Sequence, residues 1–140
     1  MNERVIITHD DFHTLSELIQ RLPGEDHQYF NNLREKLEKA KRVERAELPP
    51  DVVALGSTVS LREVETDEEW VFTVCLPDDA RVDENRISIL SPLGTALLGH
   101  REGAIVEWPV PSGSIPVRIE EVLSQTEAAP GPAEESTGVV

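Results

Sequence analysis

Four things are scarce in this 140-residue sequence, and each scarcity removes a class of function. There is one cysteine, Cys75, so no intrachain disulfide can form and a reducing cytoplasm is the expected compartment. Aromatic residues make up only 4%, so the core must be built from Val, Leu and Ile, and a deep aromatic-lined ligand pocket is not expected. No apolar run approaches the roughly 20 residues that span a bilayer, which argues against a membrane role. The opening MNERVIITHDDF also lacks the basic, apolar and small-residue succession of a signal peptide. Basic residues are few: 13 Lys and Arg stand against 27 Asp and Glu, a net charge of -14.

The charge is uneven. Residues 1–45 hold 8 basic and 9 acidic groups, net -1, and residues 46–140 hold 5 and 18, net -13. Duplex DNA carries one negative charge per roughly 1.7 Å, so the second part should be repelled by it. Direct sequence-specific nucleic-acid binding is therefore not expected, and an acidic surface instead suits a basic protein partner.

Catalytic and cofactor signatures are missing as well. There is no GxxxxGK[ST] or GxGxxG loop to cradle phosphates, so no nucleotide cofactor is expected. His9 and His13 have the spacing of two helical zinc ligands. The string HDDFH, however, lacks the Glu that a metalloprotease uses as base, and a pair of exposed histidines is the simpler reading. Cys75 lies in an apolar strand and reads as a buried, inert thiol. Glu25 and Asp26 are weak metal candidates, since two carboxylates at a protruding tip can hold Mg²⁺. The simpler role for this pair is to cap the second helix at its positive end.

What is present falls into three segments. In residues 1–48, Phe12, Leu15, Ile19 and Leu22 recur at spacings of three and four, with Leu18 widening the stripe and Thr8 as N-cap, Asp11 three residues on. Pro23-Gly24 stops that helix, and Phe30, Leu33, Leu37 and Ala40 repeat the pattern. Two such stripes predict an antiparallel helical hairpin, a short coiled coil with Glu25 and Asp26 at its tip. Its helices of about 14 and 20 residues would project roughly 20–30 Å at 1.5 Å per residue. Arg34, Lys36, Lys39, Lys41 and Arg42 read as a solvated outer face.

Pro49-Pro50 ends the helical part and reads as a hinge. Across residues 49–123 the period changes from 3.6 to 2. Strands are predicted over 57–64, 68–76, 85–90, 104–110 and 115–123, with the second covered on both sides. Pro109 and Pro116 argue for edge or bulged positions. Between the third and fourth strands, Ser91 and Pro92 are an N-cap and first-turn proline for a short helix, PLGTALLG. Residues 124–140, rich in Pro, Gly, Ala, Glu, Ser and Thr, read as a disordered tail. The fold class is α+β.

The strings GSTVSLREVETDEEWVFTVCLPDD, ISILSPLGTALLGHREGAIVEWPVP and IPVRIEEVL resemble the Gre family of transcript-cleavage and elongation factors. The nearer resemblance is to its short-hairpin branch, the regulators of nucleoside diphosphate kinase (Rnk). The resemblance covers about residues 3–123, with SPLGTALLG at 91–99 its most specific piece and Pro50-Asp51-Val52-Val53, Ser57 and Val59 matching the entry to the second domain. Ala104 after Gly103 departs from it, because the family often has Asp there.

The resemblance implies an FKBP-like twisted antiparallel sheet with one short helix packed on it. It also implies RNA polymerase as the partner, docked beside the secondary channel through a loop that maps onto Ser91, Pro92 and Leu93. Full Gre hairpins are considerably longer and carry acidic tips to the polymerase active centre, so a 20–30 Å prong should fall short. The expectation is a monomeric, non-enzymatic transcription regulator that competes with other channel-binding factors without promoting cleavage. Two rivals remain: a regulator of nucleoside diphosphate kinase or nucleotide metabolism acting through another protein, and an FKBP-like peptidyl-prolyl isomerase.

Overall fold

A computed structural model of the protein describes residues 5–21 and 27–125. Glu25, Asp26, Leu22 and the Pro23-Gly24 stop lie outside the described residues, as does the expected tail beyond Gln125. Among the described residues no helix is long and apolar enough to cross a membrane.

The chain opens with strand β1 (Ile6–Thr8), which runs directly into helix α1 (His9–Arg21). Thr8 Oγ1 accepts the Asp11 backbone N–H at 3.0 Å, the N-cap bond expected from the sequence. Leu15, Leu18 and Ile19 form the buried stripe of α1. Helix α2 (His27–Lys39) buries Leu33 and Leu37 against the same core. It ends at Lys39, earlier than its predicted length, because Lys41–Val43 forms strand β2 and pairs in parallel with β1. This pairing of two three-residue strands was not anticipated. Arg42 lies over the Phe12 ring at 4.2 Å, which ties β2 to α1.

Beyond β2 the described residues form a five-stranded sheet. Strands β3 (Thr58–Glu63), β4 (Glu69–Cys75), β5 (Arg86–Ser88), β6 (Ile105–Val110) and β7 (Gly113–Ser124) lie in the order β5-β4-β3-β7-β6. Pairing is antiparallel except between β4 and β5, which run parallel. Val59, Leu61, Val74, Val106, Val117 and Ile119 face the core, and the intervening residues face out, the alternation that one-sided burial requires. Strand β4 is not covered on both sides along its length: Val71 is 44% exposed, and only Cys75 near its end is buried on that face. Its core face carries Trp70 and Phe72, both edge-on to Trp108 with centroids at 5.2 and 6.0 Å.

Pro109 lies in the edge strand β6, as expected. Pro116 is in an inner strand, β7, but at the point where β3 runs out. Val64 N–H donates to Pro116 O there, and the nitrogen of a strand residue points the same way as its carbonyl. The missing donor thus faces the end of the neighbouring strand and disrupts nothing.

Helix α3 (Pro92–Leu97) packs Leu93 and Leu97 onto the inner face of the sheet. A single cluster of buried residues runs from Ile7, Leu15, Leu33 and Leu37 through Val53 and Leu61 to Leu97 and Ile119. The Pro49-Pro50 segment expected to act as a hinge is bridged by this shared core. Gln125 Nε2 also donates to Pro49 O and Val52 O, tying the end of β7 to the same segment.

Candidate functional site

The segment from Ser88 to Gly99 is fixed by hydrogen bonds at both ends. Ser91 Oγ accepts the Gly94 N–H at 3.1 Å and donates to Ser88 O at 2.6 Å, so one hydroxyl caps α3 and closes the preceding turn. Ser88 Oγ accepts the Leu90 N–H, and Thr95 Oγ1 donates to Ile89 O at 2.7 Å. The helix lies so close to this turn that a side chain at Gly94 would collide with Ser88 O. The sequence-predicted contact residues therefore separate. Pro92 is exposed at the first helical position and Ser91 is half-buried, whereas Leu93 is 3% exposed and anchors the loop from inside the core.

The other end of α3 is finished from elsewhere in the chain. Gly99 N–H, four residues on from Thr95, turns to Val53 O, and His100 N–H, four on from Ala96, bonds to Leu97 O. The carbonyls of Thr95, Ala96 and Leu98 are instead taken by Lys36 Nζ of α2, at 2.7, 3.0 and 2.9 Å. A cation at a helix C-terminus is favoured by the orphan carbonyls it meets there. Burial pulls the Lys36 ammonium down to about 8, while its three carbonyl acceptors favour the charged form. Burial, and secondarily the charge of Lys36, lowers His100 to about 4, so this imidazole is neutral at physiological pH. The sequence pattern placed Lys36 on a solvated face; no local signal marks a lysine whose partners lie about sixty residues away.

A second bond joins the helices to the sheet domain. Asp11 Oδ2 accepts the Leu55 N–H at 3.0 Å. Burial raises the Asp11 carboxyl above its usual range, opposed by the Leu55 hydrogen bond and by Arg45. Gly99 adds a third link: its carbonyl accepts the Ile6 N–H at 3.1 Å, and its N–H donates to Val53 O at 2.8 Å. Its φ of +85° suits glycine, and a side chain there would press on Val5.

An open cleft of about 640 Å³ lies beside the loop, between Asn32 and Lys36 of α2, Pro92 and Ala96 of α3, and Glu107 and Pro109 of β6. The surface around the sheet is acidic, and its arginines are largely committed. Arg62 contacts Glu69 at 2.6 Å and Glu120 at 3.6 Å, Arg118 contacts Glu120, and Arg101 forks onto Asp51 through two bonds of 3.1 Å. His9 and His13 are exposed and lie near Glu44 and Glu17 respectively. Among the described residues no group of three His, Cys, Asp or Glu side chains is arranged to hold a metal ion. Cys75 is buried, with its thiol donating to Ile87 O.

A model of the family described as transcription elongation factor, GreA/GreB, C-term, matches residues 48–124, more than half the chain. A transcription elongation factor GreA from Azorhizobium caulinodans is 32% identical over 112 residues, 80% of this chain and 69% of the relative. The chain belongs to the GreA/GreB transcription elongation factor family. Another GreA, from Thermomicrobium roseum, is 43% identical over 97 residues, 64% of this chain and 59% of the relative. A solved GreA/GreB elongation factor from Nitrosomonas europaea superposes with a TM-score of 0.73 at 37% identity, covering 86% of this chain and 98% of that one.

This GreA/GreB family member spans little more than half the length of several curated relatives, 54% for the GreA of Brucella anthropi. The family match takes in β3 to β7 and α3, hence the Ser91-Pro92 loop. Lys36 and Asp11 lie on helices outside that match.

Proposed function

We propose that this GreA/GreB family member is a non-enzymatic regulator that docks on RNA polymerase beside the secondary channel through the Ser91-Pro92 loop. Its short helical hairpin then occupies the channel entrance and competes with other channel-binding factors without promoting transcript cleavage. Within the family we read it as one of the short-hairpin kind, the regulators of nucleoside diphosphate kinase.

The observation that carries this reading is the length of the two helices over the described residues. Helices α1 and α2 have 13 residues each, about 20 Å at 1.5 Å per residue. We read this as a prong for an entrance, too short to deliver the carboxylates expected from the sequence at its tip to a buried active centre. The docking side fits as well: Pro92 is presented on a loop fixed by Ser91 and Gly94, on an acidic domain suited to steering toward a basic protein surface. An isomerase reading is less favoured, because Trp70 and Phe72 pack edge-on against Trp108 instead of lining a free pocket.

A stalled polymerase complex with labelled transcript tests the proposal. The full chain should bind core polymerase and leave the transcript intact. Stimulated cleavage that disappears in Glu25→Ala and Asp26→Ala would overturn the non-cleaving assignment, and failure to bind polymerase would overturn the docking assignment.

A further inference from the structure

We propose that Lys36 is a positioning residue, which fixes the direction of the helical hairpin relative to the docking loop by capping the far end of the docking helix. The inference rests on the reading of Ser91-Pro92 as the polymerase contact.

Helix α3 has only six residues, so its two ends are less than two turns apart and move together. Its N-terminal end presents the loop. Its C-terminal end offers three carbonyls that its own backbone does not satisfy, and a single ammonium from α2 meets all three within 3.0 Å. Lys36 lies three residues after the buried Leu33 and directly before the buried Leu37, so its Cα is set by core packing. The result is a chain of fixed contacts running from loop to helix α3, to Lys36, to α2. Asp11 makes the corresponding attachment for α1, on the Leu55 N–H. Among the described residues each helix is thus joined to the sheet domain by one charged side chain bonded to backbone groups. Of the two, only Lys36 acts on the element that carries the loop. Hydrophobic contact resists separation but permits sliding, whereas three converging hydrogen bonds define an angle.

Removing the ammonium should therefore loosen the hairpin's direction more than it weakens docking. Spin labels on Gln20→Cys in α1 and Glu121→Cys in β7, both exposed, report the distance between hairpin and sheet in the full chain, with buried Cys75 left in place. The native chain should give one narrow distribution. Lys36→Met should broaden it about twofold or more, and Lys36→Arg, which keeps donors and charge, should restore most of the width. Lys36→Gln, with two donors and no charge, should fall between, and it serves as the test if Lys36→Met does not fold. Distributions in Lys36→Met or Lys36→Gln as narrow as the native one would overturn the assignment.

On core polymerase, Lys36→Met should keep its Kd within about threefold, while crosslinking from a photoreactive group at Gln20 falls about tenfold. Loss of binding and crosslinking in parallel would make Lys36 part of the docking structure itself and overturn its positioning role. If the native chain does not bind polymerase, the functional reading fails, while the distance measurement still decides whether Lys36 sets the hairpin's direction.

Discussion

The two ends of α3 are completed by different means. At the front, Ser91, Pro92 and Gly94 do everything within four residues: a hydroxyl caps the first turn, a proline starts it, and a missing side chain lets it lie on Ser88. At the back, the helix depends on Lys36 from the other half of the chain. The same contrast separates the two halves. The sheet domain closes its own hydrogen bonds through four strand pairings, while the helices draw their fixed placement from Asp11, Lys36 and the β1–Gly99 contact. The sheet is complete in its own strands, but the short helix packed on it is finished by a side chain from the other half.

The two halves should unfold together. Leu33→Ala in α2 and Leu61→Ala in β3, both fully buried, should each destabilise by about 2–5 kcal/mol and shift one common thermal transition. Two transitions in circular dichroism would show that the shared core does not couple the halves.

The next effect sharpens the contrast within α3. Gly94→Ala drives a methyl into Ser88 O and should cost about 1–3 kcal/mol, disturbing the front of the helix. Lys36→Met, which leaves three carbonyls without their donor, should cost a similar 1–3 kcal/mol or so. Hydrogen exchange should tell them apart, with faster exchange at Gly94 and Thr95 N–H in the first and faster exchange at Ile6 N–H, at the helix–sheet junction, in the second.

Acid should act on the junction as well. An unfolded histidine binds its proton near pH 6.5, but His100 resists down to about 4. Between these values the unfolded state takes up a proton that the folded state does not, so this contribution is complete above 6.5 and is lost as pH falls toward 4. Asp11 works in the opposite direction, since its raised value lets the folded state take up a proton first. His100→Asn should therefore flatten the fall in melting temperature between pH 6.5 and 4. An unchanged slope would remove His100 from the account.

The smallest effect lies on the outer face of the sheet. Arg62→Gln breaks contacts with Glu69 and Glu120 that are partly open to solvent, and should change stability by no more than about 1 kcal/mol. A larger shift in a melting curve would mean that this surface network matters more to the sheet than exposed ion pairs usually do.

Much of this arrangement is legible in the sequence wherever the deciding interaction is local. Val59 and Leu61, or Trp70, Phe72 and Val74, announce strands, although Val64, read with the first pair, is exposed and Glu63 takes its place on the buried face. Ser91-Pro92 announces a helix start. The docking role of that loop rests on the family resemblance and not on this local signal. The parallel pairing of Ile6–Thr8 with Lys41–Val43 was not legible, because three residues carry too little pattern to choose a partner. Lys36 was missed for a stronger reason: along α2 it shares its spacing and flanking charges with Arg34 and Lys39, and only the arrival of α3 beside it separates them. Asp11 stands between these cases. Its place in a capped first turn was visible, but its carboxylate bond to Leu55 was not.

Displacement from polymerase decides whether this chain and a long-hairpin factor share one site. Core polymerase is loaded with a fluorescent long-hairpin GreA, and the full chain is titrated in while anisotropy is followed. Complete release of the labelled factor is predicted, because both proteins need the same entrance, and Lys36→Met should release it at a concentration within about threefold of the native chain's. Retention of the labelled GreA on a polymerase that has also bound this chain would contradict the claim.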